Sequence, residues 1–463
     1  MAALTLVFMA SRSYRNACRA AQAKQVCENT AMPRLLYTLL IYALLPLTPL
    51  KLLWRGLRQP EYRQHWAERY GFYGQPDQTP HSSQRPPLIW LHCVSVGETR
   101  AAAPLIALLQ QRYPQHQILL THATPTGREA GEQLFGERVL RCYLPYDTPG
   151  AVRRFLNHFR PQFGLIMETE LWFNLIAACK AHNTPLLLVN ARLSARSARG
   201  YGKLARLTAQ GLQSLHAIAA QSEADAARLH ALGACRVTVT GNLKFDVTPP
   251  ADAEASGQAL RKRIGADRPV FLAASTREGE ESLILDAIAE ANIAQLLTVI
   301  VPRHPQRFDE VASLLQARGV RYARRSGLGD ALLPRETQVL LGDSMGEMFT
   351  YYGACDLTLI GGSLLPYGSQ NLIEACAMGK PVLIGPHSYN FAQASAQALE
   401  CGAAQQVDGV EQLAQALQHL LLHPLQREAM AQAGLKFTQE NRGATARVVA
   451  VIVNSLAASL HSA

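Results

Sequence analysis

Glu98 stands in Ser95-Val96-Gly97-Glu98-Thr99, directly after the short apolar run PLIWLHCV and at the opening of a helical stretch. A carboxylate near a helix N-terminus is favoured in its ionised form by the dipole. At the mouth of a cleft such a group can act as a general base; it can equally be an ordinary first-turn glutamate. Gly97 permits a tight turn or the close approach of a ligand. Met167-Glu168-Thr169-Glu170-Leu171-Trp172 sets two carboxylates just past another buried run, with helix capping and a solvated loop as the competing explanations. Lys244, in Thr240-Gly241-Asn242-Leu243-Lys244-Phe245-Asp246, would face a cleft at a domain boundary and meet a phosphate or carboxylate, or else lie on the surface. Asn190-Ala191-Arg192-Leu193-Ser194 is a fourth loop of this kind.

The second half carries its own set. Val301-Pro302-Arg303-His304-Pro305 ends an apolar run, and Arg303 can hold an anion bidentately. In Gly342-Asp343-Ser344-Met345-Gly346-Glu347-Met348, Ser344 and Glu347 have the spacing of a capping box, and Gly346 leaves room for a ligand against the backbone. The richest run is Gly361-Gly362-Ser363, then Gly368-Ser369-Gln370-Asn371-Leu372-Ile373-Glu374-Ala375, then Gly379-Lys380-Pro381-Val382. It reads strand, glycine-rich turn, helix, strand. A helix opening at residues 368–371 would offer free N–H groups to a phosphate. Asn371 and Glu374 are three apart and share a face, where Glu374 could accept from ribose hydroxyls.

These loops need a frame, and the alternation of apolar and helical runs supplies one. Strand-like runs such as QILLTHAT, GLIMET and PLLLVNAR alternate with helical stretches, and the pattern restarts with PVFLAAST, LLTVIVPRH, QVLLGD, LTLIGGS and PVLIGP. Such alternation predicts parallel sheets covered by helices on both faces, with ligands beyond the carboxyl ends of the strands. The predicted organisation is a poorly patterned extension over 1–31, a membrane anchor over 32–58 and an N-terminal Rossmann-like domain over 59–246. A linker over 247–257 follows, rich in Pro and small polar residues, then a second Rossmann-like domain over 258–430 and terminal helices over 431–463. Two doubly wound domains facing each other would make a cleft where the loops meet.

With 463 residues, 48% hydrophobic and only 17% charged, the chain is neither disordered nor a coiled-coil rod. Its formal net charge of +10 suits an anionic partner: nucleic acid, acidic lipid or a phosphorylated substrate. The nine cysteines are scattered singly without a CxxC pair, which fits a reducing compartment rather than a disulfide framework or a zinc site. Residues 35–50 carry no charge and are followed by Lys51, Arg55, Arg58, Arg63 and Arg69 with Trp54, Tyr62 and Trp66. That composition predicts a membrane-surface segment; a short span, an interfacial anchor and a buried helix are all open, with Pro46 and Pro49 bending or ending the helix. Met32, just before the apolar run, is a candidate start. No P-loop, no GxGxxG after the first strand and no HExxH is present, and no metal-ligand spacing appears.

Together, SVGET, THATPTG, LPYD, METELW, NARLS, GNLKFD, VPRHP, GDSMGEM and GGSLLPYGSQNLIEA closely resemble the 3-deoxy-D-manno-octulosonic acid (Kdo) transferases of Gram-negative bacteria, from about Met32 to the C-terminus. The resemblance implies a GT-B glycosyltransferase with a CMP-Kdo donor, a lipid A precursor (lipid IVA) as acceptor, no cofactor and no metal. It also implies a place at the cytoplasmic side of the cell inner membrane, in lipopolysaccharide synthesis. By motif, Glu98 falls on the catalytic base, and Glu168 and Lys244 fall on transition-state stabilisers. Pro302 and Arg303, then Met345, Gly346 and Glu347, then Asn371, Leu372, Ile373 and Glu374 fall on the CMP contacts. This chain has Asn-Leu-Ile-Glu where some relatives have Asn-Pro-Leu-Glu, with the contacting ends kept. Two rivals remain at this level. One is a GT-B enzyme using a UDP-sugar. The other is a basic, membrane-tethered nucleic-acid-binding protein, which the lack of clustered Lys/Arg with interleaved aromatics opposes.

Overall fold

The computed structural model describes residues 31–74 and 86–460. The extension predicted over 1–31, apart from the helix start at Ala31, lies outside the described residues, as do Cys18 and Cys27. The chain folds into two compact units. One runs to Leu243 and takes in the chain again from Gly443; the other spans Lys244–Arg442.

The first unit is built on seven parallel strands: β1 (Leu88–His92), β2 (Gln117–His122), β3 (Leu140–Tyr143), β4 (Phe163–Met167), β5 (Leu186–Ala191), β6 (Ala217–Ala220) and β7 (Val237–Val239). They lie in the order β3-β2-β1-β4-β5-β6-β7. β1 and β4 are buried along their whole length, because helices cover both faces of the sheet. The order reverses between β1 and β4, where His92 stands beside Ile166. Loops leaving these two strands run to opposite faces and open a crevice at their carboxyl ends.

The second unit repeats the plan with β8 (Val270–Thr276), β9 (Leu297–Pro302), β10 (Tyr322–Arg324), β11 (Val339–Leu341), β12 (Leu357–Ile360), β13 (Val382–Ile384) and β14 (Ala404–Gln406). Their order is β10-β11-β9-β8-β12-β13-β14, again all parallel, with the reversal between β8 and β12.

Three sequence boundaries differ from the structure. The linker predicted over 247–257 is partly helical, since the helix Ala253–Ile264 begins inside it. Gly257 lets that helix lie against Gly353: a Cβ there would stand 2.5 Å from the Gly353 Cα. The boundary at 430 falls within the helix Pro424–Glu440. The last helix, Ala444–Leu460, returns to the first unit, burying Ala444, Val448 and Ile452 among β-strand residues such as Leu165 and Leu187.

Before β1 come the helix Ala31–Leu44, a 3-10 turn Leu45–Leu47 that starts ahead of Pro46, and the helix Thr48–Arg58 with Pro49 in its first turn. The run from Pro33 to Arg58 is long and apolar enough to cross a membrane. One side of it is tied down. Tyr37 Oη donates to Asp147 at 2.8 Å, Thr38 Oγ1 to Asn174 at 2.9 Å, and the Thr48 and Tyr70 hydroxyls lie 2.8 Å apart. The other side leaves Leu36, Leu40, Leu47, Leu50, Trp54 and Leu57 exposed. One residue of the predicted cationic fringe is misplaced. Arg69 is buried, its guanidinium 3.8 Å from the centre of the Tyr143 ring and donating to the Ala123 carbonyl, so it does not face a lipid surface.

Candidate active site

Glu98 sits in the first turn of the helix Val96–Ala101, which Ser95 caps from the end of the β1 loop. Its carboxylate folds back: Oε2 accepts from the Val94 N–H at 2.7 Å and Oε1 from the Ser95 hydroxyl at 3.1 Å. The side chain is buried, with 9% of its surface exposed. Glu168 and Glu170 follow β4, the strand next to β1 across the reversal point. Glu168 holds a left-handed backbone (φ +56) and donates its N–H to the Val189 carbonyl at 3.0 Å. Such a conformation in a residue with a Cβ costs energy and marks a place where a side chain has been aimed.

Three carboxylates thus share one crevice, and their charges are felt. Burial, then the nearby Glu168, push Glu98 up to about 8, against the pull of its Val94 and Ser95 hydrogen bonds. Burial and Glu168 raise Glu170 to about 7. This corrects the sequence expectation that the helix dipole keeps Glu98 ionised. Desolvation and like charge outweigh the pull of one short helix end and favour the protonated form. A group tuned this way is a stronger base once ionised than an ordinary glutamate.

Several motif residues prove to be scaffold. Asp147 accepts from the N–H groups of Asn174 and Leu175, fixing the start of the helix Phe173–Ala181. Asp225 accepts from the Leu193 N–H and so pins the Asn190–Ser194 loop. Asn190 accepts from the Leu243 N–H at 3.0 Å.

Lys244 belongs to the second unit, with its Nζ 4.7 Å from the centre of the Phe391 ring. In that unit the chemistry gathers at the reversal between β8 and β12. Pro302 closes β9 beside Thr276, and Arg303 Nε donates to Gln370 Oε1 at 3.1 Å. Arg277, after β8, lies 4.6 Å from the centre of the Tyr367 ring. His304 is held below its ordinary value by burial and then by Arg303, Arg277 and Arg307, so three guanidiniums converge there. Arg307 is committed to Glu281 by two bonds of 2.6 and 3.0 Å. Arg303 and Arg277 stand at this edge, the one bonded to Gln370 and the other beside the Tyr367 ring.

The glycine-rich run differs from expectation. The helix starts at Ile373 and spans only Ile373–Ala377. Residues 368–371 are a loop, left-handed at Gly368 (φ +90) and Ser369 (φ +67). The Ser369 and Gln370 N–H groups are bonded to the carbonyls of Gly362 and Gly361, so the predicted phosphate-holding helix start is not formed. Gly361 is required for a packing reason: a Cβ there would lie 2.3 Å from the Ser275 carbonyl oxygen. Asn371 Oδ1 accepts from the Ile373 N–H and its Nδ2 donates to Glu374 Oε1 at 3.0 Å. Leu372 and Ile373 are buried in the core, which leaves only their backbone for a ligand. Met345 is exposed and Gly346 left-handed (φ +83). Glu347 pairs with Arg325 at 2.8 Å. The capping box expected from Ser344 to Glu347 is absent: Ser344 bonds the Tyr351 hydroxyl, and the helix Met348–Ala354 begins after Glu347.

Sequence reasoning missed Arg277 and Glu280. Glu280 is fully buried and accepts from the N–H groups of Arg277 (2.8 Å), Gly362 (2.6 Å) and Leu364 (3.0 Å), locking the glycine turn to the β8 loop. The available signal was an acidic pair, Glu280-Glu281, opening a helix just past a buried strand. Among the described residues no group of three His, Cys, Asp or Glu is arranged to hold a metal ion.

Comparison with known proteins gives the family and the fold. The family model for 3-deoxy-D-manno-octulosonic-acid transferase (kdotransferase) matches residues 64–247. The 3-deoxy-D-manno-octulosonic acid transferase of Bordetella pertussis is 44% identical over 434 residues, 90% of this chain and 98% of that protein. The enzyme of the same name from Haemophilus influenzae is 39% identical over 424 residues, covering 90% and 97%. Two solved structures share the two-domain fold. A glycosyltransferase from Rickettsia africae has a TM-score of 0.56 at 14% identity, covering 81% of this chain and 99% of that one. The UDP-GlcNAc 2-epimerase of Neisseria meningitidis has a TM-score of 0.55 at 17% identity, covering 80% and 100%. At these identities both speak for the fold alone.

Proposed function

The chain belongs to the 3-deoxy-D-manno-octulosonic acid transferase family, a GT-B glycosyltransferase of lipopolysaccharide synthesis, and we propose that it moves Kdo from CMP-Kdo to lipid IVA in one inverting displacement with Glu98 as base. The observation that carries the mechanism is the Glu98 carboxylate, held by Val94 and Ser95 and raised first by burial and then by Glu168. An acceptor hydroxyl has too high a pKa to attack unaided. As its oxygen bonds to the ketosidic carbon, its proton passes to Glu98, and the bond from that carbon to the CMP phosphate oxygen breaks. The sugar carbon is oxocarbenium-like midway, so nearby carboxylate charge favours it; that is the role assigned to Glu168. The departing phosphate takes up negative charge, which Arg303, Arg277 and Lys244 offset. Pro302, Met345, Gly346, Glu347 and the 371–374 segment complete the CMP site, with Asn371 and Glu374 as its polar ends. The cations supply what a divalent metal supplies elsewhere, so the proposed reaction requires none, and it uses no nucleic acid.

The acceptor is a phosphorylated lipid, which suits the exposed leucines and Trp54 of residues 33–58 beside Lys51, Arg55, Arg58 and Arg63. Polar ties from Tyr37, Thr38 and Thr48 to the first unit favour a helix lying in the interface over one that spans. The inner membrane, on its cytoplasmic side, is the surface proposed.

The test is incubation of the purified full chain with CMP-Kdo and tetra-acylated lipid A precursor, with and without excess EDTA, reading product mass. Each transfer adds one Kdo mass, and the yield is expected to be the same with chelator. No mass increment would overturn the substrate assignment. Loss on chelation with rescue by a divalent ion would overturn the cationic phosphate site.

A further inference from the structure

We infer that His122 is a positioning residue for Glu98, acting through the single peptide unit that joins Cys93 to Val94. The inference rests on Glu98 being the base. The carbonyl of that peptide accepts from His122 Nδ1 at 3.1 Å, and its N–H, on Val94, donates to Glu98 Oε2 at 2.7 Å. One rigid amide therefore carries a hydrogen bond at each end. A carbonyl oxygen only accepts, so Nδ1 must bear the imidazole proton. Drawing electron density toward the carbonyl makes the opposite N–H a stronger donor, and a stronger donor favours the ionised carboxylate.

The surroundings hold His122 to this one task. The ring is fully buried. Burial first, then His92, press it down to about 3, so it stays neutral with a bare Nε2 that has no hydrogen-bond partner. The helix Pro125–Phe135 closes over it through two glycines. A Cβ at Gly131 would stand 2.9 Å from Nε2, and one at Gly127 would stand 3.3 Å from Nδ1. Thr124 caps that helix and donates to the Val94 carbonyl at 3.0 Å, pinning the next peptide in the same loop. This gives the otherwise unassigned Thr-His-Ala-Thr-Pro-Thr-Gly motif a function. Its histidine braces the base loop, its second threonine fixes that loop, and its glycine makes room. The charged and titratable groups facing the pair are Glu168 and Glu170 toward Glu98, and His92, Arg128 and Arg141 toward His122, with Arg128 paired to Glu68.

Two variants separate the donor from the packing. His122→Phe keeps a ring and removes the donor. His122→Asn keeps an N–H close to the position of Nδ1 and removes the ring. With full-length protein, CMP-Kdo and lipid A precursor, the rising limb of the pH–rate profile is expected to move up in His122→Phe by a few tenths of a pH unit, the roughly 10–30% that one polarising neighbour adds to a hydrogen bond. Turnover near pH 7 falls accordingly and recovers in large part at high pH. His122→Asn returns the limb to the wild-type position. In Glu98→Gln, adding His122→Phe causes no further loss, because the relay has no end group left. An unmoved limb in His122→Phe overturns the inference, as does a limb in His122→Asn displaced like that of the phenylalanine variant. Failure of the underlying reading looks different: Glu98→Gln alone would keep near-normal turnover.

Discussion

Glu98→Gln is expected to lower Kdo transfer by roughly 10²–10⁴-fold, the usual share of general-base catalysis, with CMP binding unchanged. Gln keeps the shape: its oxygen can accept from the Val94 N–H while its NH2 turns donor toward the Ser95 hydroxyl, but it cannot take a proton from the acceptor. The same substitution should stabilise the fold at alkaline pH. Glu98 is raised in the folded protein, so the native state holds a proton that the unfolded chain releases from about pH 4.5. Wild-type stability therefore falls as pH rises from that region to about 8, and the full penalty of the buried charge is present above it. Thermal melts of the two proteins should be parallel below about pH 4.5, diverge progressively between there and about pH 8, and differ most above it, with the variant gaining relative to wild type. Near-normal turnover, or melts that stay parallel above pH 8, would remove Glu98 from its role.

Arg303→Met should cut kcat/KM for CMP-Kdo by about 100-fold or more, within the range for losing one donor to developing charge. Arg303 donates to Gln370 from just past β9, and Arg307, four residues on, is already bound by Glu281. Thermal protection by CMP should weaken in parallel. Arg303→Lys keeps the charge without the planar fork and should fall between the two. Full CMP protection in Arg303→Met would place the phosphate elsewhere, with Arg277 the first candidate.

The frame was legible where strands are buried on both sides. β1, β2, β4, β5, β8 and β9 are near-continuous apolar runs, because helices cover both faces of a parallel sheet. β3, β10 and β14 escaped notice for the opposite reason. They are sheet edges of three or four residues, and in β10 Tyr322, Ala323 and Arg324 are all only half-buried. The return of the helix Ala444–Leu460 to the first unit leaves no local trace, since its apolar face would suit any core.

The site was legible in part. Glu98 could be singled out from its place after a strand, but its protonation could not. Glu168 and Glu170 are some seventy residues away, and only the pairing of β1 with β4 brings them near. The glycine run was read as a helix start because glycine, serine and asparagine suit both caps and turns. Left-handed Gly368 and Ser369 decided for a turn. Glu280 and Arg277 act through the backbone of another loop or beside another strand's arginine, which no spacing in one segment reveals.

The central claim is that a desolvated glutamate, coupled to its carboxylate neighbours, takes the acceptor proton. It is tested most directly by the pH dependence of kcat/KM for wild-type protein on dispersed lipid A precursor. A base must be ionised to act, so activity should rise with pH through a limb centred near 8, where burial and Glu168 hold Glu98. A profile already level from pH 5.5 upward, the behaviour of an ordinary carboxylate, would contradict it.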